Sequence, residues 1–307
     1  MIWLFLLLVA ALVTPILIEH YRLTMNDVAR GSAPGQFAEL SKGVTHYEWT
    51  GPANGKIAVC IHGLTTPSFV WRSVAKGLVL MGYRTLIYDL YGRGYSDRPT
   101  GIQDRAFFLN QFEELLEREG VRDGITVLGY SMGGSIATCF AAASPERVER
   151  LILLAPAGMG LAQNKLMDFI AKTPLIGDWL MLALFPRVFR KGIRAEEKQA
   201  ASVPQVHEMQ AMQLEYKRYV AAVLASRRGI LSDVLRDEHR AIQTAQIPVF
   251  AIWGDDDQVI PRSAIGSLAE WNRRAEHAII PEAGHGLPYT HAKKVLELIQ
   301  NHLRAAR

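Results

Sequence analysis

Hydrophobic and polar positions divide the chain into three stretches of different rhythm. From Met1 to Ile18 no side chain carries a charge. Eighteen helical residues at 1.5 Å each extend about 27 Å, close to the hydrocarbon thickness of a bilayer. Trp3 near one end and Tyr21 near the other fit interfacial aromatic positions. Residues 1–22 are therefore expected to form an N-terminal membrane anchor helix, which Pro15 would kink. The alternative is a cleaved secretory signal, which would leave the body of the protein secreted or periplasmic. Met1-Ile2-Trp3 lacks the basic residues that open such a peptide. Arg22 and Arg30 follow the apolar run and no basic residue precedes it, so the positive-inside rule predicts a cytoplasmic body.

The second rhythm alternates short, fully apolar runs with helical spacing. After a polar, Gly-rich linker at 26–54, with a first strand pair around 43–49, buried strands are expected at 57–61, 85–88, 125–128, 151–154, 249–253 and 278–280. Residues 71–81, 104–119, 131–143 and 291–303 carry apolar residues at helical spacing. This order predicts an α/β domain over 23–307, a mostly parallel sheet flanked by helices. The third rhythm interrupts the second. From 154 to 247 the pattern is helical with no strand, which predicts a helical cap inserted at about 157–240 above the carboxyl edge of the sheet.

Composition adds exclusions. The chain is 49% hydrophobic and 21% charged with a net charge of +4, too dilute a basic excess for nucleic acid. Cys60 and Cys139 lie in apolar runs without metal or redox spacing, so neither a disulfide framework nor a metal is expected. Nine basic residues stand against four acidic ones between Arg187 and Arg228, an excess larger than that of the whole chain. Such a basic cap suits either anionic lipid or plain solvent.

The chemistry begins where strand 125–128 runs into Gly129-Tyr130-Ser131-Met132-Gly133-Gly134. A serine on a tight strand-to-helix turn projects its hydroxyl from the sheet, and glycines at 129 and 133 leave room for that backbone. A hydroxyl is a weak nucleophile at neutral pH and needs a base and an orienting acid. Gly254-Asp255-Asp256-Asp257 follows one late strand and Pro281-Glu282-Ala283-Gly284-His285-Gly286 another. The order Ser131, then an acid, then His285 is that of a serine triad on this kind of sheet. His62 ends a buried strand before Gly63-Leu64 and is read as a loop stabiliser. His20, His46, His207, His239, His277, His291 and His302 are expected at the surface.

With these residues in place, the chain over about 37–305 resembles the α/β-hydrolase fold family, in its capped, single-domain, esterase- and lipase-like serine hydrolases. The resemblance is carried by His62-Gly63, Asp89-Leu90-Tyr91-Gly92-Arg93-Gly94-Tyr95-Ser96, the Ser131 turn, and the Asp257 and His285 loops. It implies Ser131 as nucleophile, His285 as general base then acid, and Asp257 as orienting carboxylate, with Asp255 or Asp256 as substitutes. It also gives the oxyanion hole to the backbone amides of Leu64 and Met132, and makes the 89–96 loop structural. Serine rather than aspartate at 131 sets the chain apart from the epoxide hydrolase and dehalogenase branches and implies an acyl-enzyme.

The expected activity is hydrolysis of carboxylic esters of lipid-like acyl substrates such as monoacylglycerols, without a cofactor. The alternatives are carbon–carbon bond hydrolysis, cofactor-free peroxidation, or a non-catalytic ligand-binding homologue. The apolar block at 175–185, with Trp179 to Phe185, is read first as cap packing and second as an acyl-binding wall. Met209 and Met212 are read as core.

Overall fold

The computed structural model describes residues 1–305. Eight strands form one sheet: β1 (Gln36–Leu40), β2 (Gly43–Thr50), β3 (Lys56–Ile61), β4 (Tyr83–Tyr88), β5 (Ile125–Tyr130), β6 (Val148–Leu154), β7 (Val249–Gly254) and β8 (Glu276–Ile280). Their spatial order is β1-β2-β4-β3-β5-β6-β7-β8. The β1–β2 and β2–β4 pairs are antiparallel and every later pair is parallel. β5 and β7 are buried along their whole length, as continuous apolar runs between two helical layers must be.

Several elements depart from the expected pattern. The stretch read as a linker contains a short helix, Asp27–Arg30, and strand β1. β1 is a half-polar outer strand whose register is set by its hairpin to β2, with only Ala38 fully buried. β8 begins two residues earlier than expected because its outer face is solvated, so Glu276 and His277 do not read as core.

Between β6 and β7 lie helices Lys165–Lys172, Ile176–Glu196, Val206–Met212 and Tyr219–Arg228. The last helix of the interval, Arg236–Thr244, packs instead against Met132–Ala143 in the layer under the sheet, so the insertion above the sheet stops short of residue 240. The insertion has its own core of Ile170, Met181, Leu214, Tyr219, Val220, Val223 and Leu224, with Leu64 packed against both this core and the main one. Phe185 joins that core whereas Trp179 faces the N-terminal helix. Met209 packs on the main core, but Met212 is exposed.

Helix Ile2–Tyr21 buries none of its residues. It is long and apolar enough to cross a membrane. Its carboxyl end is tied to the insertion: Leu23 N–H donates to the Glu215 carbonyl (2.8 Å), Lys217 N–H to the Leu23 carbonyl (2.8 Å) and Arg218 N–H to Glu19 Oε1 (2.6 Å).

Three histidines expected at the surface are buried: His46, His239 and His302. His46 bonds Asp89 (2.7 Å), and His302 stacks on Phe250 at 4.4 Å while meeting Glu276. Their partners lie far away in sequence, so local polarity gave the wrong sign.

Candidate active site

Ser131 sits where β5 meets helix Met132–Ala143, with φ of 53°. A non-glycine residue held there costs about 1–3 kcal/mol and persists only when its surroundings fix it. They do so on both sides of the residue. Ser131 N–H donates to the Leu154 carbonyl (3.0 Å), and its own carbonyl accepts from Ala157 (3.0 Å) and Gly134 (2.8 Å). The flanking glycines are required by contact as well as by the turn. A Cβ at 133 would strike the backbone oxygen of Ile61, one at 129 would meet the Gly133 carbonyl, and one at 134 would meet Pro156. The helix therefore packs flush against β3 and β6, and Ser131 has no room to relax.

The loops after β7 and β8 bring the other two groups to this point. Ser131 Oγ lies 2.9 Å from His285 Nε2, and His285 Nδ1 lies 2.8 Å from Asp257 Oδ2. Asp257 Oδ1 accepts from the amides of Val259 (2.7 Å) and Ile260 (2.9 Å). Burial opposes ionisation of Asp257. The His285 hydrogen bond and the two amides outweigh it and hold the carboxyl below its ordinary range. An ionised carboxylate only accepts, so His285 Nδ1 carries the proton and Nε2 faces the serine hydroxyl as an acceptor. The ring also lies against Tyr130, centroids 5.2 Å apart. Asp255 turns away to Arg262, and Asp256 is exposed, so neither reaches His285.

Of the two amides expected to stabilise an oxyanion, that of Met132 directly follows Ser131 and that of Leu64 belongs to the segment that approaches it. Met132 opens its helix, so its N–H has no acceptor within that helix. Leu64 follows Gly63, whose Cα approaches so closely that an added Cβ would lie 3.3 Å from the Ser131 Cβ. His62 fixes this peptide. Its Nδ1 donates to the Gly63 carbonyl (2.7 Å) and its Nε2 accepts from Leu90 N–H (2.9 Å). Because C=O and N–H of a trans peptide point in opposite directions, holding the Gly63 carbonyl turns the Leu64 N–H the other way. Burial pulls His62 down to about 4, so the ring is neutral at pH 7, as the donor–acceptor pair requires.

A further residue, which sequence reasoning passed over, is Arg93. It is fully buried in the 89–96 loop. It donates to the carbonyls of Leu64 (3.0 Å), Tyr91 (2.8 Å) and Ala222 (3.1 Å), to Gln103 Oε1 (2.6 Å) and to Ser226 Oγ (2.7 Å). Burial lowers it to about 9, which leaves it charged at neutral pH. Arg93 thus joins the segment beside Ser131 to the insertion. Tyr219 Oη to the Thr65 carbonyl (2.9 Å) and Gln210 Nε2 to Thr66 Oγ1 (3.0 Å) add two more ties. The signal for Arg93 was an arginine between two glycines, Gly92 and Gly94, but its partners lie up to 133 residues away.

The 89–96 loop is anchored at its start by Asp89. This buried carboxylate accepts from Ser68 N–H (2.8 Å), Tyr95 N–H (2.9 Å) and His46 (2.7 Å). Among the described residues no group of three or more potential metal ligands is present.

Comparison with known proteins bears on the fold and the family. The chain is 28% identical over 242 residues to a 2-hydroxymuconate semialdehyde hydrolase of Pseudomonas sp. (strain CF600), spanning 77% of this chain and 81% of that one. It is 26% identical to Lipase 1 of Psychrobacter immobilis over 251 residues, 78% of this chain and 74% of the lipase. Its fold superposes on the enol-lactonase of Burkholderia xenovorans LB400 with a TM-score of 0.73 at 19% identity, covering 88% of this chain and all of that structure. Residues 58–292 match the alpha/beta hydrolase fold family, and the chain belongs to that family.

Proposed function

We propose that this hydrolase cleaves carboxylic esters with lipid-like acyl groups through an acyl-enzyme on Ser131. The observation that carries the reading is the unbroken hydrogen-bonded relay from Ser131 Oγ through His285 to Asp257. In the first half-reaction Ser131 Oγ attacks the ester carbonyl and passes its proton to His285 Nε2. Asp257 holds the resulting imidazolium, and the amides of Leu64 and Met132 receive the oxyanion. Collapse expels the alcohol, protonated by His285, and leaves the acyl group on Ser131. Water then attacks the acyl-enzyme, with His285 taking its proton and returning it to Ser131 Oγ as the acid departs.

Two features support an apolar acyl group. One is the insertion's apolar core, which packs against Leu64 beside Ser131. The other is helix Ile2–Tyr21, which we read as a single-pass membrane anchor with the catalytic domain on the cytoplasmic side. A series of p-nitrophenyl esters from acetate to palmitate tests the substrate class. Higher kcat/KM on medium or long chains supports it, and a flat or acetate-preferring profile contradicts it.

The similarity to a 2-hydroxymuconate semialdehyde hydrolase favours a second reading, carbon–carbon cleavage of a ring-fission dienoate by the same three residues. Loss of dienoate absorbance without ester turnover selects it over the first.

A further inference from the structure

A cavity that shares no residue with the Ser131 site lies where the chain leaves the N-terminal helix. Its volume is about 460 Å³, and Lys42, Asp97, Arg98, Lys217 and Arg218 are among the residues that line it. Four stretches distant in sequence meet there: residues 24–25, the β1–β2 turn, the segment that continues the 89–96 loop, and the insertion. Hydrogen bonds fix them to one another. Lys217 N–H donates to the Leu23 carbonyl (2.8 Å), Asp97 N–H to the Val44 carbonyl (2.8 Å) and Arg218 Nη1 to the Arg98 carbonyl (3.2 Å). Trp179 Nε1–H, bonded to the Leu12 carbonyl (2.7 Å), holds the N-terminal helix against the insertion. The walls are therefore set by the fold and not by the conformation of one loop.

The charge of this cavity is unbalanced. Four cations line it against one carboxylate, and that carboxylate is already engaged: Asp97 Oδ1 pairs with Arg30 and Oδ2 accepts from Val44 N–H (2.7 Å). Among the described residues none of Lys42, Arg98, Lys217 and Arg218 forms an ion pair with a carboxylate. Arg98 is the most telling of them. It is 7% exposed, yet its Nε and Nη1 groups have no hydrogen-bond partner. Only Nη2 is used, toward the Gly94 carbonyl (3.1 Å) and Gln213 Oε1 (3.4 Å). The guanidinium lies over the Tyr216 ring at 5.2 Å, which offers a favourable face but no acceptor. Asp89 attracts it through space, but the Asp89 oxygens are taken by His46, Ser68 and Tyr95. Burial lowers Arg98 to about 10, which leaves it charged at neutral pH. A buried cation without a counter-charge is costly, so the position is explained best by an anion that joins it.

We propose that this cavity is an anion site that takes a phosphate monoester, with Lys42, Lys217 and Arg218 donating to its oxygens and Arg98 supplying the buried charge behind them. Such a group carries about −1.5 to −2 charge near pH 7 and three acceptor oxygens, which suits several donors arriving from separate segments better than a carboxylate does. Two sources present it: a small soluble phosphate, and a lipid whose headgroup ends in a phosphate monoester near the carboxyl end of helix Ile2–Tyr21. The site is independent of the ester-cleaving reading and stands or falls without it.

Titration calorimetry on the full chain in dodecyl maltoside tests it with glycerol 3-phosphate, with phosphatidic acid in the micelles, and with acetate at matched ionic strength. Saturable binding of at least one phosphate probe is expected, with little heat from acetate. Lys42 is exposed and Lys217 half-buried, so Lys42→Glu and Lys217→Glu spare the core, and each should weaken phosphate binding about tenfold. Binding of glycerol 3-phosphate shows that a soluble phosphate suffices, whereas binding of phosphatidic acid alone assigns the source to a lipid headgroup. No saturable binding of either, equal binding of acetate, or affinities unchanged in both variants would overturn the site. Arg98→Met gives a second readout. The bound phosphate probe should raise the melting temperature of the wild type and leave that of this variant nearly unmoved, and an equal rise in both would remove Arg98 from the site and overturn the proposal. Turnover of p-nitrophenyl acetate in the same preparation reports the reaction separately.

Discussion

The loops at the carboxyl edge of the sheet and the helices above them solve opposite problems. At the sheet edge, backbone packing leaves no choice: Ser131 is held at a positive φ by bonds to β6 and by glycines with no space for a side chain. In the insertion, a small apolar core and a few side-chain ties support a surface that still displays large apolar groups. The first region is rigid because geometry decides the reaction, where small misplacements cost large factors in rate. The second can vary while the reacting groups stay fixed, so it is the part that sets what reaches them. His62 and Arg93 stand between the two, one holding the Gly63–Leu64 peptide and the other tying Leu64 to the insertion.

Substitutions separate the two regions, and the largest effect belongs to the sheet edge. Ser131→Ala should reduce kcat by about 10⁴-fold or more while leaving thermal stability within about 1 kcal/mol of wild type. Ester turnover and a melting curve on one preparation check both halves. A parallel loss of stability would mean that the serine is a packing residue.

Arg93→Met should cost about 3 kcal/mol, because several buried acceptors lose their donor together. Chemical denaturation measures this. If the link to the insertion matters, KM for long-chain esters should also rise more than KM for acetate.

Asp89→Asn tests the buried pair beneath the 89–96 loop through its pH dependence. Burial works against ionisation of Asp89, but His46 and the loop amides outweigh it, so its folded pKa lies below the unfolded value near 3.9. Its contribution is therefore present above about pH 4 and is lost as pH falls. Burial also opposes the charge on His46, and Asp89 outweighs that burial and raises it. That part is full below about pH 6.5 and fades as pH rises through the folded value. The stability gap between wild type and variant, about 3 kcal/mol at its widest, should peak between about pH 4 and 6.5 and narrow on both sides. A gap that is flat from pH 3 to 9 would show that the pair is not ionised.

The smallest effect belongs to the insertion. Trp179→Phe removes one hydrogen bond to the N-terminal helix and should cost about 1 kcal/mol without changing kcat on a soluble ester. Denaturation in detergent together with p-nitrophenyl acetate kinetics checks it. A fall in kcat would couple the N-terminal helix to the reacting groups.

What could be read from the chain follows the same division. The central strands announce themselves as unbroken apolar runs, and the Ser131 turn by glycines whose reasons are local. The Asp257 and His285 loops follow apolar strands directly, so their placement at one sheet edge follows from parallel topology. Features built by distant partners were hidden. β1 looked like a linker because its only fully buried residue, Ala38, is small and its pairing comes from β2. His46 looked exposed because its carboxylate partner lies 43 residues on. Arg93 looked like a loop arginine because two of its acceptors, Ala222 and Ser226, come from the insertion. The end of the insertion was misplaced because helix Arg236–Thr244 resembles its neighbours in pattern and differs only in what it packs against.

The central claim is that the hydroxyl at 131 is activated by the imidazole at 285. A fluorophosphonate probe followed by peptide mass mapping measures this most directly. The account predicts a single adduct on Ser131, absent from Ser131→Ala and slowed by orders of magnitude in His285→Ala. An unlabelled wild-type protein, or equal labelling rates in wild type and His285→Ala, would contradict it.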